Sequence, residues 1–195
     1  DDELHYILKN SDAVLAIYDP DFGESVCTVG SRLPSLQWIE LGPPYDTLVD
    51  TGDGSPLDIQ RSGDDMLFIY TGGTTGMPKA VMWRHEDLWH ALGSGANAPC
   101  TSGRAPESPA EHLRNLSEYL GVLKQLTACP LMHGTGLLTS MSILMGGGCV
   151  VTLPSPGLNV EELWQTIDDV KVNSIVIVGD AFAKPMLKAL DDHPH

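Results

Sequence analysis

Short apolar runs and amphipathic stretches alternate along the last quarter of the chain. In order, they predict strand 149–153, helix 160–170 with Asn159 as its N-cap, strand 174–178 and helix 181–190. Strands that alternate with helices pair in parallel, and the helices cover the sheet. The chain is therefore predicted to be an α/β protein, a layered sheet with flanking helices.

The N-terminal part of the chain predicts one amphipathic helix and several short strands. They are helix 2–9 and strands 13–18, 37–41, 66–70 and 80–83. Residues 42–63 are rich in Gly, Pro, Asp and Ser, which indicates an extended linker between the second and third of these strands.

The middle of the chain predicts helices separated by a polar loop. A helix begins at His85, a loop of small and polar residues covers 93–109, and a helix or irregular segment covers 111–126. An apolar helix is predicted over 137–145, and three consecutive glycines end it.

Residues 70–79 combine three glycines, three threonines and a lysine between two predicted strands. Glycine backbone turns tightly and can point several amide hydrogens at one ligand, and threonine hydroxyls add donors for phosphate oxygens. Lys79 adds a compact positive charge. The stretch therefore predicts a phosphate-binding loop. A Walker A site is excluded, because Ala80 stands where that motif needs Ser or Thr at the start of a helix.

The same stretch resembles the phosphate loop of the adenylate-forming superfamily, which includes acyl-CoA synthetases, firefly luciferase and the adenylation domains of peptide synthetases. The family pattern is roughly Y/F-T-S/G-G-S/T-T-G-x-P-K-G. Two positions depart from it, since Gly72 stands where Ser is common and Ala80 where Gly is usual. By this resemblance, the residues that wrap the triphosphate of ATP are Thr71, Gly72, Gly73, Thr74, Thr75, Gly76 and Lys79.

A second segment, residues 130–136, resembles the P-x-F/M-H-x-x-G element of the same family. In relatives, the aromatic residue or histidine of this element lies beside the carboxylate substrate and helps to orient it. The resemblance therefore gives His133 a part in catalysis beside Lys79. A lone histidine between apolar residues is also commonly structural, and only the order of the two motifs favours the functional interpretation.

A third segment, residues 175–185, resembles the family segment that passes the adenine ring. An ordinary strand-to-helix turn with an aspartate as N-cap explains the same letters equally well. The candidates for the adenine contact are Gly179, Asp180 and Ala181.

Several family elements are absent from these 195 residues. They are the Y-G-x-T-E element with its magnesium-handling glutamate, the later T-G-D element, and the small C-terminal domain with its catalytic lysine. Residues 51–53 spell T-G-D but precede the phosphate loop, so we interpret them as a turn. We expect residues 1–195 to be part of an AMP-binding N-terminal domain, whose partner is the missing C-terminal domain of the same polypeptide.

The resemblance implies a ligase of the fatty-acyl-CoA synthetase branch. Such an enzyme joins a small-molecule carboxylate to AMP with release of pyrophosphate, and then passes the acyl group to coenzyme A. ATP with Mg²⁺ and coenzyme A are the implied cofactors and co-substrates. A non-catalytic nucleotide-binding relative, an amino-acid adenylation domain and a luciferase-like oxidation remain alternatives.

Charge and cysteine spacing exclude other classes of protein. The formal net charge of −15, with 11 Lys and Arg against 26 Asp and Glu, argues against a nucleic-acid or anionic membrane surface. The four cysteines contain no C-x-x-C pair, so neither a zinc site nor a dithiol redox site is predicted. We expect no metal site in the protein itself, no transmembrane segment and a cytoplasmic location.

Overall fold

A computed structural model describes residues 1–72, 76–94, 106–118 and 123–192. The chain divides into two units by its internal contacts. The first comprises Asp1–Ser62 and Tyr70–Met82, and the second comprises Gly63–Ile69 and Trp83–His195.

The first unit begins with helices that alternate with two short strands. Its elements are α1 (Asp2–Asn10), β1 (Leu15–Tyr18), a 3₁₀ turn (Pro20–Phe22), α2 (Gly23–Gly30) and β2 (Gln37–Glu40). The two strands pair in parallel, with Tyr18 opposite Glu40. The Tyr18 hydroxyl donates a hydrogen bond of 3.2 Å to Glu40 Oε2. Helix 2–9 and the strands predicted at 13–18 and 37–41 are confirmed.

The prediction of an extended linker over 42–63 is wrong in its first part, where helix α3 covers Pro43–Asp50. The prolines that suggested a linker lie in the first helical turn, where a missing N–H costs no intrahelical hydrogen bond. The Thr47 hydroxyl adds a bond of 2.7 Å to the Pro43 carbonyl. Residues 52–62 form neither helix nor strand, as predicted.

Residues 51–53, which spell T-G-D, form a local turn. The Ser55 amide donates a hydrogen bond of 2.9 Å to Asp53 Oδ1. This bond is the largest of the effects that lower the pKa of Asp53. The Asp53 carboxylate therefore accepts its hydrogen bond from the backbone two residues later, which favours the interpretation of these residues as a turn.

The two strands around the glycine-threonine loop are hydrogen-bonded neighbours in a two-stranded sheet. Strand β3 covers Met66–Thr71 and strand β4 covers Lys79–Arg84, so both predicted strands are confirmed and slightly longer than expected. Helix α4 (His85–Leu88) follows β4 directly and continues as a π-helical turn over Trp89–Ser94. The helix predicted to begin at His85 is confirmed.

Arg84 holds the junction between β4 and α4 within the second unit. Its guanidinium lies 2.7 Å from Asp64, 3.0 Å from Glu86 and 3.3 Å from Asp87. The hydrogen bond to Asp64 is the largest of the effects that raise the pKa of Arg84. All these groups are exposed, so the cluster orients the junction more than it stabilises the fold.

The second unit is built on a three-stranded sheet with the order β6-β5-β7. Its strands are β5 (Lys124–Thr127), β6 (Cys149–Val151) and β7 (Ser174–Val176), and both neighbours pair with β5 in parallel. The predicted parallel sheet is therefore confirmed.

Helix α5 spans Pro109–Glu118, which matches the first part of the helix or irregular segment predicted for 111–126. The prediction is wrong at 124–126, which belong to the central strand β5. Three of its four residues are Lys, Gln and Thr, so the strand has no hydrophobic pattern that would predict it, although Gln125 and Thr127 are buried. Most of the loop predicted at 93–109 lies outside the described residues.

Three helices alternate with the sheet strands as predicted: α6 (Gly134–Met145), α7 (Val160–Val170) and α8 (Asp180–Asp192). Asn159 caps α7, since its side-chain oxygen accepts a bond of 3.2 Å from the Glu162 amide. Leu126 on β5, Leu163 on α7 and Met186 on α8 form the buried centre between sheet and helices.

Replacing Leu163 by alanine is expected to lower the free energy of unfolding by about 2–5 kcal/mol. The side chain is 0% exposed, so the substitution leaves a cavity among its neighbours. Leu187→Ala provides a matched control on α8, because Leu187 is 62% exposed and its loss is expected to change stability by about 0.5 kcal/mol or less. Urea unfolding followed by far-UV circular dichroism measures both variants, and equal losses would contradict this assignment of the core.

Candidate functional site

The ends of the predicted phosphate loop are tied together across the hairpin. The Thr71 hydroxyl donates a hydrogen bond of 3.4 Å to the Lys79 carbonyl, which joins the last residue of β3 to the first residue of β4. Gly76 has φ of +125°, a backbone conformation that residues other than glycine rarely adopt. Among the residues that the structure describes, none lies within 4 Å of a Cβ atom placed at Gly72, so they leave room there for the serine common in the family.

Lys79 is the cation of this loop. Lys79 is exposed to solvent, whereas the preceding Pro78 is buried. Within the described ranges, no carboxylate forms an ion pair with the Lys79 ammonium group. An exposed ammonium group without such a partner can compensate the charge of a phosphate. Gly73, Thr74 and Thr75, the centre of the predicted loop, lie outside the described residues.

His133 is the N-cap of helix α6. Its Nδ1 atom accepts a hydrogen bond of 3.3 Å from the Thr135 amide, and its carbonyl accepts one of 2.9 Å from the Leu137 amide. Its own amide donates a bond of 3.0 Å to the Pro130 carbonyl. The exposed imidazole is therefore fixed through one ring nitrogen, while the other is not used by the cap.

Gly136 explains the last letter of the P-x-x-H-x-x-G element. A Cβ atom there would overlap the Pro130 carbonyl oxygen and lie 3.2 Å from the Cys129 carbonyl oxygen. The first turn of α6 can therefore pack against the end of β5 only with glycine at this position. Gly134, two residues earlier, has nothing within 4 Å of its Cβ position.

A buried polar cluster joins β5 to α6, and the sequence analysis did not find it. Gln125 Nε2 donates to the Thr127 hydroxyl at 3.2 Å and to the Thr139 hydroxyl at 3.4 Å. The Thr127 and Ser140 hydroxyls lie 2.9 Å apart. Polar residues inside the apolar run 137–145 were the available signal, since buried hydroxyls need partners.

The third segment forms a strand-to-helix turn. Gly179 has φ of +67°, and its carbonyl accepts bonds of 3.2 Å from the amides of Phe182 and Ala183. Asp180, the first residue of α8, pairs with Lys184 at 2.9 Å. Ala181 is exposed beside it. These contacts give Asp180 a structural role at the start of α8.

A cavity of about 310 Å³ lies at the carboxyl ends of β5 and β6. Leu131, Leu153, Leu158 and Phe182 line much of it. Among the described residues, no group of three or more His, Cys, Asp and Glu side chains could hold a metal ion. In the same ranges, no helix combines the length and the apolar character needed to cross a membrane.

The predicted site residues are distributed over both units. The loop residues from Thr71 to Lys79 belong to the first unit. His133, Gly179, Asp180 and Ala181 belong to the second. Each group has a local geometry of its own, as described above.

Solved structures share the fold of the chain. The inhibitor-bound N-terminal domain of FACL13 from Mycobacterium tuberculosis superposes with a TM-score of 0.71 and is 21% identical, over 95% of this chain and 42% of that one. ATP-bound MatB from Rhodopseudomonas palustris gives a TM-score of 0.68 and is 17% identical, over 96% of this chain and 34% of that one. These matches confirm the predicted α/β fold class.

Curated relatives give the family. The 3-oxocholest-4-en-26-oate–CoA ligase of Rhodococcus rhodochrous is 35% identical over 98% of the chain, and a medium/long-chain-fatty-acid–CoA/3-oxocholest-4-en-26-oate–CoA ligase of Mycolicibacterium smegmatis is 32% identical over 96%. The chain spans 36% of the length of each. A family model described as AMP-binding enzyme matches residues 1–194. The chain therefore belongs to the AMP-binding enzyme family, the adenylate-forming superfamily that its motifs resemble.

Proposed function

We propose that the protein containing this chain activates a carboxylic acid, most simply a fatty acid, as an acyl-adenylate and transfers the acyl group to coenzyme A. This chain supplies the loop that binds the phosphates of ATP. The observation that carries the proposal is the hairpin loop of an AMP-binding enzyme, closed by the bond from Thr71 to the Lys79 carbonyl, with the Lys79 ammonium exposed at its end.

Activation is needed because a carboxylate is a poor electrophile. A carboxylate oxygen attacks the α-phosphorus of ATP, and the bond to the leaving pyrophosphate breaks. In this step Lys79 compensates charge on the phosphates, and the loop donates hydrogen bonds to their oxygens. Mg²⁺ bound with ATP would supply further neutralisation of the pyrophosphate. The other residues proposed to contact the phosphates are Thr71, Gly72, Gly73, Thr74, Thr75 and Gly76.

We place the carboxylate substrate beside His133. The imidazole is exposed at the start of α6 and its orientation is fixed by the capping bond to Thr135. A ring held in one orientation can direct a hydrogen-bond donor at a carboxylate oxygen without reorganisation. Gly179, Asp180 and Ala181 are proposed to lie beside the adenine ring. Asp180 would contribute its backbone, because its carboxylate is already paired with Lys184.

Residues 1–195 would then be part of the N-terminal AMP-binding domain, and turnover would need the remaining part of the polypeptide. The share of 36% that the chain covers in its relatives supports this arrangement. Cys27, Cys129 and Cys149 are free thiols, which fits a reducing compartment such as the cytoplasm.

Carboxylate-dependent exchange of labelled pyrophosphate into ATP tests the proposal. The polypeptide expressed from its native reading frame is expected to catalyse exchange with medium- or long-chain fatty acids, and added coenzyme A is expected to yield the acyl thioester. The 195-residue chain alone is expected to show little or no exchange. Exchange with amino acids only would overturn the acyl-CoA assignment. ATP binding without any exchange would indicate a non-catalytic relative instead.

A further inference from the structure

The capping bond of α6 selects one tautomer of His133. The Thr135 amide donates to Nδ1, so Nδ1 must carry a lone pair and not a proton. In a neutral imidazole the proton then resides on Nε2. The ring therefore has a single donor, and the cap leaves it available to a ligand. Protonation of Nδ1 would remove the acceptor and break the cap.

A second set of bonds fixes the helical turn that makes this cap. The Thr139 hydroxyl donates a short bond of 2.6 Å to the carbonyl of Thr135, the same residue whose amide holds His133. The Thr139 oxygen in turn accepts a bond of 3.4 Å from Gln125 Nε2 on the central strand. Hydrogen bonds thus connect Gln125 on β5 to Thr139 and to the Thr135 carbonyl, and the backbone of Thr135 joins this set to the amide that caps the His133 ring.

The strand end of this chain is buried. Gln125 is 4% exposed, so its side-chain amide is shielded from solvent and donates to the Thr127 and Thr139 hydroxyls instead. A buried amide that needs both partners holds them in place more firmly than an exposed one would. Gly136 lies in the same turn and packs against the Pro130 carbonyl, which restrains that turn as well.

We propose that Thr139, anchored by Gln125, is a positioning residue that holds His133 as its Nε2–H tautomer, with that donor directed at the carboxylate substrate. The proposal rests on the function proposed above. Thr139 does not touch the substrate in this scheme, and it acts only through the Thr135 turn and the His133 ring.

Variants at Thr139 separate positioning from stability. Thr139→Val removes the hydroxyl and keeps the shape, while Thr139→Ser restores the hydroxyl. Ser140→Ala is the matched control, because it removes a hydroxyl of the same buried cluster that bonds Thr127 and not the Thr135 turn. All are made in the polypeptide expressed from its native reading frame.

Nitrogen-15 spectra of the histidine rings at alkaline pH report the tautomer directly. The His133→Asn variant, which lacks the His133 signal, identifies that signal in the spectrum. The wild-type protein, Thr139→Ser and Ser140→Ala are expected to show a single Nε2–H form. Thr139→Val is expected to shift toward the tautomer mixture of an unfolded peptide. A mixture in the wild-type protein, or an unchanged Thr139→Val spectrum, would overturn the proposal whatever the enzymatic activity.

Kinetics of acyl-adenylate formation supply the second readout. Thr139→Val is expected to lower kcat/KM for the carboxylate by about tenfold, while KM for ATP stays within about twofold. The serine variant is expected to recover the loss. An equal loss in Ser140→Ala would mean that the cluster acts through stability only, and would overturn the positioning role. If no carboxylate is adenylated at all, the proposed function fails. A spectrum that still shows only the Nε2–H form of His133 would then show that the positioning by Thr139 holds independently of that function.

Discussion

Replacing Lys79 by methionine is expected to slow acyl-adenylate formation by about 10²–10³-fold. The proposed reaction releases a pyrophosphate that carries several negative charges, and the Lys79 ammonium is the cation at the end of the loop proposed to hold it. Methionine keeps most of the length of the side chain and removes the charge. Single-turnover formation of acyl-adenylate in the full polypeptide measures the effect.

Lys188→Met is the matched control for this prediction. Lys188 is exposed on α8, so its substitution changes the net charge by the same amount away from the loop. The control is expected to keep wild-type rates, and both variants are expected to keep the wild-type melting temperature, because neither residue is buried. Equal rates for Lys79→Met and the wild-type protein would remove Lys79 from the mechanism.

The net charge of −15 makes the Lys79 prediction sharper. An acidic protein repels ATP over most of its surface, so binding must depend on local donors and cations. The loop supplies both within a few residues, since its glycine and threonine residues carry amide and hydroxyl donors and Lys79 carries the positive charge. Loss of the one cation is therefore expected to matter more here than it would on a basic surface.

Sequence reasoning succeeded where one pattern dominated a segment. Helix α7 was predicted with its correct bounds, because its apolar positions follow a helical period and Asn159 supplies a capping side chain. The hairpin strands were predicted because two apolar runs flank a glycine-rich turn. In both cases local preference and tertiary environment agree.

Sequence reasoning failed where tertiary contacts override local composition. Helix α3 was not predicted, because its prolines and acidic residues are typical of a linker. Pro43 and Pro44 lie in the first turn, where a helix tolerates proline. Helix α2 is short and has glycines at both ends, so its buried pair Val26 and Val29 gave too weak a signal. Strand β5 contains residues typical of a surface, and its burial follows from the two strands that flank it.

The candidate site divides in the same way. The letters of the phosphate loop and of the P-x-x-H-x-x-G element could be found in the sequence, because glycines and a lysine at fixed spacing are rare by chance. The bond from Thr135 to His133 and the buried cluster around Gln125 could not, because their partners belong to different elements. Only the structure shows that the second glycine of the His133 element, Gly136, is there for packing.

Gly136→Ala is expected to destabilise the second unit by about 3 kcal/mol and to lower adenylation activity at the same time. The new methyl group would overlap the Pro130 carbonyl oxygen, which is backbone and cannot move aside as a flexible side chain could. Either α6 shifts away from the end of β5, or the Pro130 turn deforms, and both changes displace the His133 cap. Urea unfolding and single-turnover adenylation measure the two effects.

Gly134→Ala tests the same substitution at a position without that contact. Its Cβ would lie in open space in the same helical turn, and alanine is a better helix former than glycine, so stability is expected to stay equal or rise slightly. If both alanine variants lose stability equally, the cause is backbone freedom before α6 and not the contact with Pro130. If Gly136→Ala alone loses stability but keeps wild-type adenylation, the packing of α6 does not set the position of His133. The expected result, loss of both in one variant and of neither in the other, would connect the glycine of the motif to its histidine through a single carbonyl contact.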